Sequence, residues 1–240
     1  MKNFLLNIVI IIISISLFSS CKKEDIATLI NESNIKYHHN DYNGALSDLN
    51  KALVSNPKIF WAYHVRGNVK YVLKDYTGAI QDYTKALELN PHSIIEYCDR
   101  GNAKRKLGDY SGAIMDYNKS IEVYPYYTEA YYNRGVAKDS LKDFQGAKKD
   151  YDKEKEMNST GYITTYSYMG RIHLKLKDYL AAIHDFDLAI DMKPGDDSSY
   201  YYRGNSKIQI GDKTGACADW TIAANLGITK ARDYIKQYSN

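Results

Sequence analysis

The sequence contains few of the residues on which catalytic and metal sites depend. It has three cysteines, four prolines and two tryptophans among 240 residues, and no CxxC pair. The HExxH, GxSxG and phosphate-loop patterns are also missing, and the six histidines have no cysteine or carboxylate at metal-ligand spacing. A formal net charge of +3 without a basic run gives no electrostatic footprint for nucleic acid. We therefore predict no catalytic residues, metal, cofactor, nucleic-acid partner or small-molecule substrate.

The one long apolar run lies at the N-terminus, from Phe4 to Phe18. As a helix it would span about 22 Å, less than the ~30 Å hydrocarbon core of a bilayer, so it suits the apolar region of a signal peptide. Ser19, Ser20 and Cys21 follow it and resemble a bacterial lipoprotein processing site. Cys21 would then be the lipidated first residue, carrying acyl chains such as palmitate. Plain secretion and an uncleaved anchor are the alternatives.

The next residues bear on where such a lipoprotein is held. The stretch Cys-Lys-Lys-Glu-Asp is similar to the signal that sends some Gram-negative lipoproteins to the outer face of the outer membrane. We therefore expect a protein of the bacterial cell envelope, anchored to the outer membrane by lipid. Whether it faces the periplasm or the cell surface stays open.

The remainder of the chain repeats. Residues 75–91 read DYTGAIQDYTKALELNP, and residues 109–125 read DYSGAIMDYNKSIEVYP. Aligning on Asp-Tyr-x-Gly-Ala gives six copies, spaced by 34, 34, 34, 35 and 34 residues. Each copy holds two helical patterns; the second places Ala79, Tyr83 and Leu87 on one face, after an aspartate suited to cap the helix. One such helix pair cannot bury its apolar face alone, so the copies must stack.

These columns and this period resemble the tetratricopeptide repeat family. The resemblance implies an all-α fold, a solenoid in which helix-turn-helix repeats form a right-handed superhelix closed by a C-terminal capping helix. The predicted organisation is a signal peptide over 1–20, a tether over 21–25, copies one to six over 26–59, 60–93, 94–127, 128–162, 163–196 and 197–228, and a capping helix over 229–240.

Charged residues recur in two columns. An aspartate stands in every second helix, as Asp48 and Asp82 do, and an arginine such as Arg66 precedes the glycine of four first helices. We expect the two columns to pair, either within a repeat (Arg66 with Asp82) or between repeats (Arg66 with Asp48). A ladder of this kind indicates a structural role, because catalysis needs one distinctive site.

Copy four departs from the pattern in its second helix. Lys148 and Lys155 replace isoleucine, Glu154 replaces alanine or serine, and Ser159 stands where other copies have proline. Each lysine loses about 1.5–3 kcal/mol of the stabilisation that a buried isoleucine side chain would give. We predict a weak joint after copy four, either a hinge or a docking slot for a partner; the alternative is that the lysine stems snorkel and the joint holds.

The function that the resemblance implies is recognition of an extended peptide. First helices of such arrays line a concave face, and asparagines one position after the glycine column hold bound peptide main chain in the family. An amide donates and accepts at once, which suits an extended backbone. Copies four and five have Val136 and Arg171 in this column. With the aromatic side chains expected to face the groove, the candidate residues are Asn34, Asn68, Asn102, Asn205, Arg171, Trp61, His64, Tyr71, Tyr132 and Tyr201.

Two alternatives stay open for this face. The asparagines could instead bond within the array or merely solvate it, and a tyrosine-lined groove could stack on sugar rings. The neighbours that a C-terminal carboxylate clamp would need as lysine or arginine are His64, Cys98 and Tyr132, so we do not predict that clamp. We expect a non-catalytic, membrane-tethered scaffold that binds a partner protein or peptide, similar in architecture to envelope-assembly lipoproteins. The alternative is an accessory lipoprotein that binds glycan or peptidoglycan.

Overall fold

The computed structural model describes residues 25–158 and 163–238, and within these ranges it contains helices and no strands. Cys21, the signal peptide and Ser159 lie outside the described residues. The thirteen helices found there are α1 Ile26–His38, α2 Tyr42–Ser55, α3 Phe60–Val72, α4 Tyr76–Leu89, α5 Ile94–Lys106, α6 Tyr110–Val123, α7 Thr128–Ser140, α8 Phe144–Met157, α9 Ile163–Lys175, α10 Tyr179–Met192, α11 Asp197–Gln209, α12 Lys213–Asn225 and α13 Ala231–Tyr238. The predicted all-α fold is confirmed.

The chain divides into two compact units. The first ends at Leu89 and contains α1 to α4; the second starts at Asn90 and contains α5 to α13. In both units an odd-numbered helix packs closely against the even-numbered helix that follows it, and α13 packs on α12. Among the described helices, none is long and apolar enough to pass through a bilayer.

The second helix of each copy begins where the sequence analysis predicts. The side chain of Asp109 accepts a hydrogen bond from the backbone N–H of Gly112 at 2.9 Å, and Asp212 accepts from Gly215 at 2.8 Å. Because the first N–H groups of a helix have no partner inside it, these carboxylates satisfy one of them. The same bond recurs at Asp41, Asp75, Asp143 and Asp178.

The glycine column of the first helices makes room for an aromatic ring. A Cβ added at Gly67 would lie 2.7 Å from a carbon of the Tyr83 ring, and one added at Gly101 would lie 2.7 Å from the Tyr117 ring. At both glycines the atoms nearest to the added Cβ belong to these rings. A bare backbone at each glycine therefore allows a large buried ring of the second helix to lie against the first helix.

The last helix closes the second unit with more aromatic surface than a polar cap would need. The rings of Tyr234 and Tyr238 in α13 lie 5.1 Å and 5.6 Å from the buried ring of Trp220 in α12. Ala231 at the start of α13 is fully buried in the same cluster. The closing helix thus covers the apolar end of copy six, which is what a repeat array needs at its terminus.

Candidate functional site: the clefts between first helices

In the first unit, α1 and α3 border a cleft of about 570 Å³, called here the N-terminal cleft. Four of the predicted groove residues line it, namely Asn34, Trp61, His64 and Asn68. Ile30, Val65 and Ala27 add apolar walls. The structure therefore brings together the predicted residues of copies one and two in one concave, mostly apolar site with a few polar groups, which is the usual make-up of a binding site.

Trp61 is the most prominent side chain of this cleft. It is 56% exposed, and its ring centroid lies 4.7 Å from that of His64. The His64 ring stacks on Phe60 at 6.5 Å, and its Nε2 lies 3.1 Å from Nδ2 of Asn68. These contacts hold the imidazole beside the indole. An exposed tryptophan on a fixed support offers a large contact area at little entropic cost.

The asparagine column, defined by positions 34, 68, 102, 136, 171 and 205, has a role inside the repeats. The Tyr83 hydroxyl donates to Oδ1 of Asn68 at 2.8 Å, and the Tyr117 hydroxyl donates to Oδ1 of Asn102 at 2.9 Å. In copy six, Nε1 of Trp220 donates to Oδ1 of Asn205 at 3.0 Å. The predicted alternative, bonding within the array, is therefore what the oxygens of these three asparagines do. In Asn68 the amide nitrogen lies beside Nε2 of His64 in the same first helix.

Asn34 differs from the other asparagines of this column. Leu49, which is fully buried, stands in copy one where the other copies have an aromatic ring. A leucine has no donor to offer, and Asn34 is exposed in the N-terminal cleft. Asn34 therefore lacks the bond to the second helix that Asn68, Asn102 and Asn205 make.

Arg171 lies in the second unit and lines a cavity of about 300 Å³, called here the Arg171 pocket. Its guanidinium carbon is 5.2 Å from the centroid of the Tyr168 ring and 5.4 Å from that of Tyr202. Tyr168 belongs to the same helix, α9, and Tyr202 belongs to α11 of the next copy. The cation is thus held between two rings across the joint of copies five and six.

Tyr132 occupies a smaller cavity of about 250 Å³ with Glu129, Asn133 and Thr164. Its ring lies 6.0 Å from Tyr151 and 5.8 Å from Tyr168. Burial raises the pKa of the Tyr132 hydroxyl to about 12, so it stays a neutral donor at physiological pH.

Two of the predicted aromatic residues do not line the clefts described above. Tyr201 was expected to face the groove, but it is only 8% exposed and packs against Tyr202 and Tyr234. The physical reason is the closing helix, which covers this side of copy six. Tyr71 is half-buried and meets the ring of Tyr76 edge-on at 5.2 Å, outside the clefts described above. Asn205 lines a cavity of about 340 Å³ that the closing helix also borders.

The two charged columns pair within each repeat. Arg66 binds Asp82 through Nε at 2.9 Å and Nη2 at 2.6 Å, and Lys70 adds a third contact at 2.7 Å. Nη1 of Arg66 also donates to Asn50 of the preceding copy at 2.8 Å. The lysine was missed in the sequence analysis, although it recurs four residues after each arginine. The same Arg–Asp–Lys cluster is found around Asp116, Asp150 and Asp219.

Copy five carries a different version of this cluster. Met169 and His173 replace the arginine and the lysine, and Nδ1 of His173 lies 2.6 Å from Asp185. Both residues of the pair are buried. Each of these carboxylates has a cationic or imidazole partner inside its own repeat, so the ladder ties the two helices of a repeat together.

Of the unusual residues of copy four, the two lysines make favourable contacts, whereas Glu154 has one unsatisfied oxygen. Lys148 pairs with Asp152 at 2.7 Å, and Nζ of Lys155 lies 5.2 Å from the centroid of the Tyr166 ring in α9. Glu154 is fully buried, and its Oε2 has no hydrogen-bond partner among the described residues. Burial raises the pKa of this carboxyl. The lysines thus fit the snorkelling alternative, whereas the glutamate is a local misfit; the predicted hinge stays a prediction.

The stacked helix pairs, their glycine-to-ring contacts and their capped second helices define a helical repeat protein. Family models described as tetratricopeptide repeat match residues 60–93, 128–159 and 164–196, and one described as TPR repeat matches residues 101–138. Together these matches cover more than half of the sequence. The chain belongs to the tetratricopeptide repeat family.

Solved structures agree with this assignment at the level of fold. The pilF protein of Pseudomonas aeruginosa is 17% identical with a TM-score of 0.76 over 88% of this chain and 97% of its own. YrrB, described as a TPR protein with an unusual peptide-binding site, is 18% identical with a TM-score of 0.67 over 78% and 97%. MamA is 24% identical with a TM-score of 0.63 over 69% and 96%. No curated protein sequence matches the chain.

Proposed function

We propose that the protein is a non-catalytic scaffold that binds an extended segment of a partner protein between its first helices. The observation that carries this proposal is the N-terminal cleft, where an exposed tryptophan, an exposed asparagine and apolar walls converge. The family and the peptide-binding site in the description of YrrB support it.

Each residue of the cleft would make a different kind of contact with the segment. Trp61 would bury an apolar side chain of the segment, and such aromatic anchors carry most of the binding energy in recognition sites. Asn34 would pair with one backbone N–H and one C=O, as an amide is able to do. Asn68 would contribute only its N–H groups, because its oxygen already accepts from Tyr83.

We further propose that Cys21 carries the lipid that holds this scaffold on the outer membrane, where it would serve envelope assembly. The apolar run that ends at Phe18 and the Ser-Ser-Cys stretch after it support this anchor. Fractionation of cells tests it directly. Wild type should sediment with the outer membrane, and Cys21→Ala should not.

In-cell photo-crosslinking tests the scaffold. A photoreactive residue is placed at Ala27 or Asn34, both exposed in the N-terminal cleft, and at exposed Lys85 in α4 as a control. Capture of one protein from both cleft positions and not from position 85 is the expected result, and Trp61→Ala should abolish it. Equal capture from all three positions would contradict the proposal. Capture of envelope glycan alone would favour the glycan-binding alternative.

A further inference from the structure

We propose that Arg171 binds the carboxylate of an aspartate or glutamate side chain in a peptide segment bound along the first helices of the second unit, so that the protein selects acidic peptides. This inference deepens the proposed function and rests on it. It concerns the second unit, whereas the N-terminal cleft lies in the first.

Arg171 differs in its partners from the four arginines that directly precede the glycine column. Arg66, Arg100, Arg134 and Arg203 each bind an aspartate of their own repeat. Arg171 contacts only the rings of Tyr168 and Tyr202 within the described part of the chain. It is half-buried beside a cavity, so its charge is neither neutralised by an internal carboxylate nor fully hydrated.

The two rings leave the guanidinium with free hydrogen-bonding edges. A planar cation that stacks on aromatic faces keeps its N–H groups in the plane between them. Those groups form a fork that matches the two oxygens of a carboxylate. Because the contacts with Tyr168 and Tyr202 already restrain the side chain, little entropy is lost when an anion is bound. The pocket is therefore organised for a planar anion before the ligand arrives.

The walls of the Arg171 pocket favour a single negative charge. Asp196 lines the pocket and is paired with Lys193 at 3.8 Å, and the hydroxyl of Ser167 lies 3.5 Å from its carboxylate. A dianionic phosphate would be repelled by Asp196 more strongly than a carboxylate would.

The place of Arg171 in the asparagine column also favours a role at the first-helix face. Arg171 occupies the asparagine column, and its repeat has Phe186, which lacks a hydroxyl, where copies two and three have tyrosine. An asparagine at position 171 would find no tyrosine hydroxyl to accept from. The hydrogen bond that fixes Asn68 and Asn102 therefore does not constrain the residue at this position. An arginine at this position is instead available to a ligand on the first-helix face.

Selection from a displayed library of random linear peptides tests the inference. The full chain is compared with Arg171→Asn, which restores the residue of the sister copies, and with Arg232→Asn, the same change at an exposed arginine of α13. Peptides enriched by the wild type should share an acidic position. Arg171→Asn should enrich peptides without it, and Arg232→Asn should behave as wild type. Arg171→Lys keeps the charge and should keep the acidic preference.

Calorimetric titration makes the result quantitative. For an enriched acidic peptide, Arg171→Asn should weaken binding about tenfold or more, and the change should vanish when the acidic residue is replaced by its amide. Enriched peptides that share no acidic position would overturn this inference and leave the scaffold standing. Enrichment of no peptide by the wild type would overturn both.

Discussion

The buried hydroxyl of Tyr83 donates a hydrogen bond to Oδ1 of Asn68 at 2.8 Å, linking the second helix of copy two to its first. The ring itself lies against Gly67. One aromatic residue therefore fixes both the spacing of the helix pair and the orientation of an asparagine that lines the N-terminal cleft. Because the fold and the candidate site share this contact, a substitution that alters the packing of Tyr83 should also alter the orientation of Asn68 in the cleft.

The first prediction uses the copy in which this bond cannot form. Val136 replaces the asparagine in copy four, and the buried Tyr151 hydroxyl has no partner among the described residues. Tyr151→Phe should raise the free energy of unfolding by about 1 kcal/mol, because an unsatisfied buried hydroxyl is removed. Tyr117→Phe should lower it by a similar amount, because the bond to Asn102 is lost. Urea denaturation of both variants measures this contrast, and equal effects would refute it.

The second prediction concerns the buried carboxyl of Glu154. Since burial raises its pKa in the folded protein, its contribution to stability is greatest at acid pH and is lost as pH rises through the folded pKa. Glu154→Ala, which introduces the residue of copies one, two, five and six, should raise the free energy of unfolding near neutral pH by about 1–3 kcal/mol. The gain should shrink towards pH ~4. A gain that does not vary with pH, or one also seen for exposed Glu156→Ala, would contradict this account.

The third prediction distinguishes the buried charge ladder from surface ion pairs. Arg134 and Lys138 both bind Asp150 at 2.6 Å and 2.8 Å, and the aspartate side chain is 5% exposed. Asp150→Ala leaves two partly buried cations unpaired and should cost about 3–5 kcal/mol of stability. The exposed pair of Lys119 and Glu122 is the control, and Glu122→Ala should cost less than about 1 kcal/mol. Thermal and urea denaturation of the two variants compare these losses of stability, and equal losses would contradict the prediction.

The fourth prediction tests the contact between glycine and ring. Gly101→Ala would place its Cβ 2.7 Å from the Tyr117 ring and should destabilise by about 1–3 kcal/mol through overpacking. Gly195→Ala meets nothing within 4 Å and has no positive φ, so it should stabilise by about 0.4–1 kcal/mol by restricting the unfolded chain. A loss of stability at both positions would point to a general intolerance of alanine.

Sequence patterns predicted the helix pairs, the aspartate caps and the pairing of Arg66 with a buried aspartate, because each depends on local spacing that recurs in every copy. They could not decide which aspartate Arg66 chooses, since Asp48 and Asp82 are equivalent in the pattern and differ only in three dimensions. Tyr201 was misplaced for a related reason. Its column lines a face in an internal copy, but the closing helix covers that face at the end of the array.

The positions of the candidate residues could be predicted only in part, for a physical reason. Asn34, Trp61, His64 and Asn68 do meet in one cleft, because residues at repeat spacing on first helices must lie side by side. The internal bonds of Asn68, Asn102 and Asn205 were proposed only as an alternative, since a one-dimensional pattern does not show whether an amide reaches its own repeat. The sandwich of Arg171 between Tyr168 and Tyr202 also required the helices in place.

The most direct test of the account is the affinity of a peptide enriched on the wild-type chain, measured by calorimetry for wild type, Trp61→Ala and Lys85→Ala. The account predicts that Trp61→Ala weakens binding at least tenfold, as expected for an aromatic anchor worth about 2 kcal/mol, while Lys85→Ala binds as wild type does. Unchanged affinity in Trp61→Ala, or an equal loss in both variants, would show that the N-terminal cleft is not the binding surface.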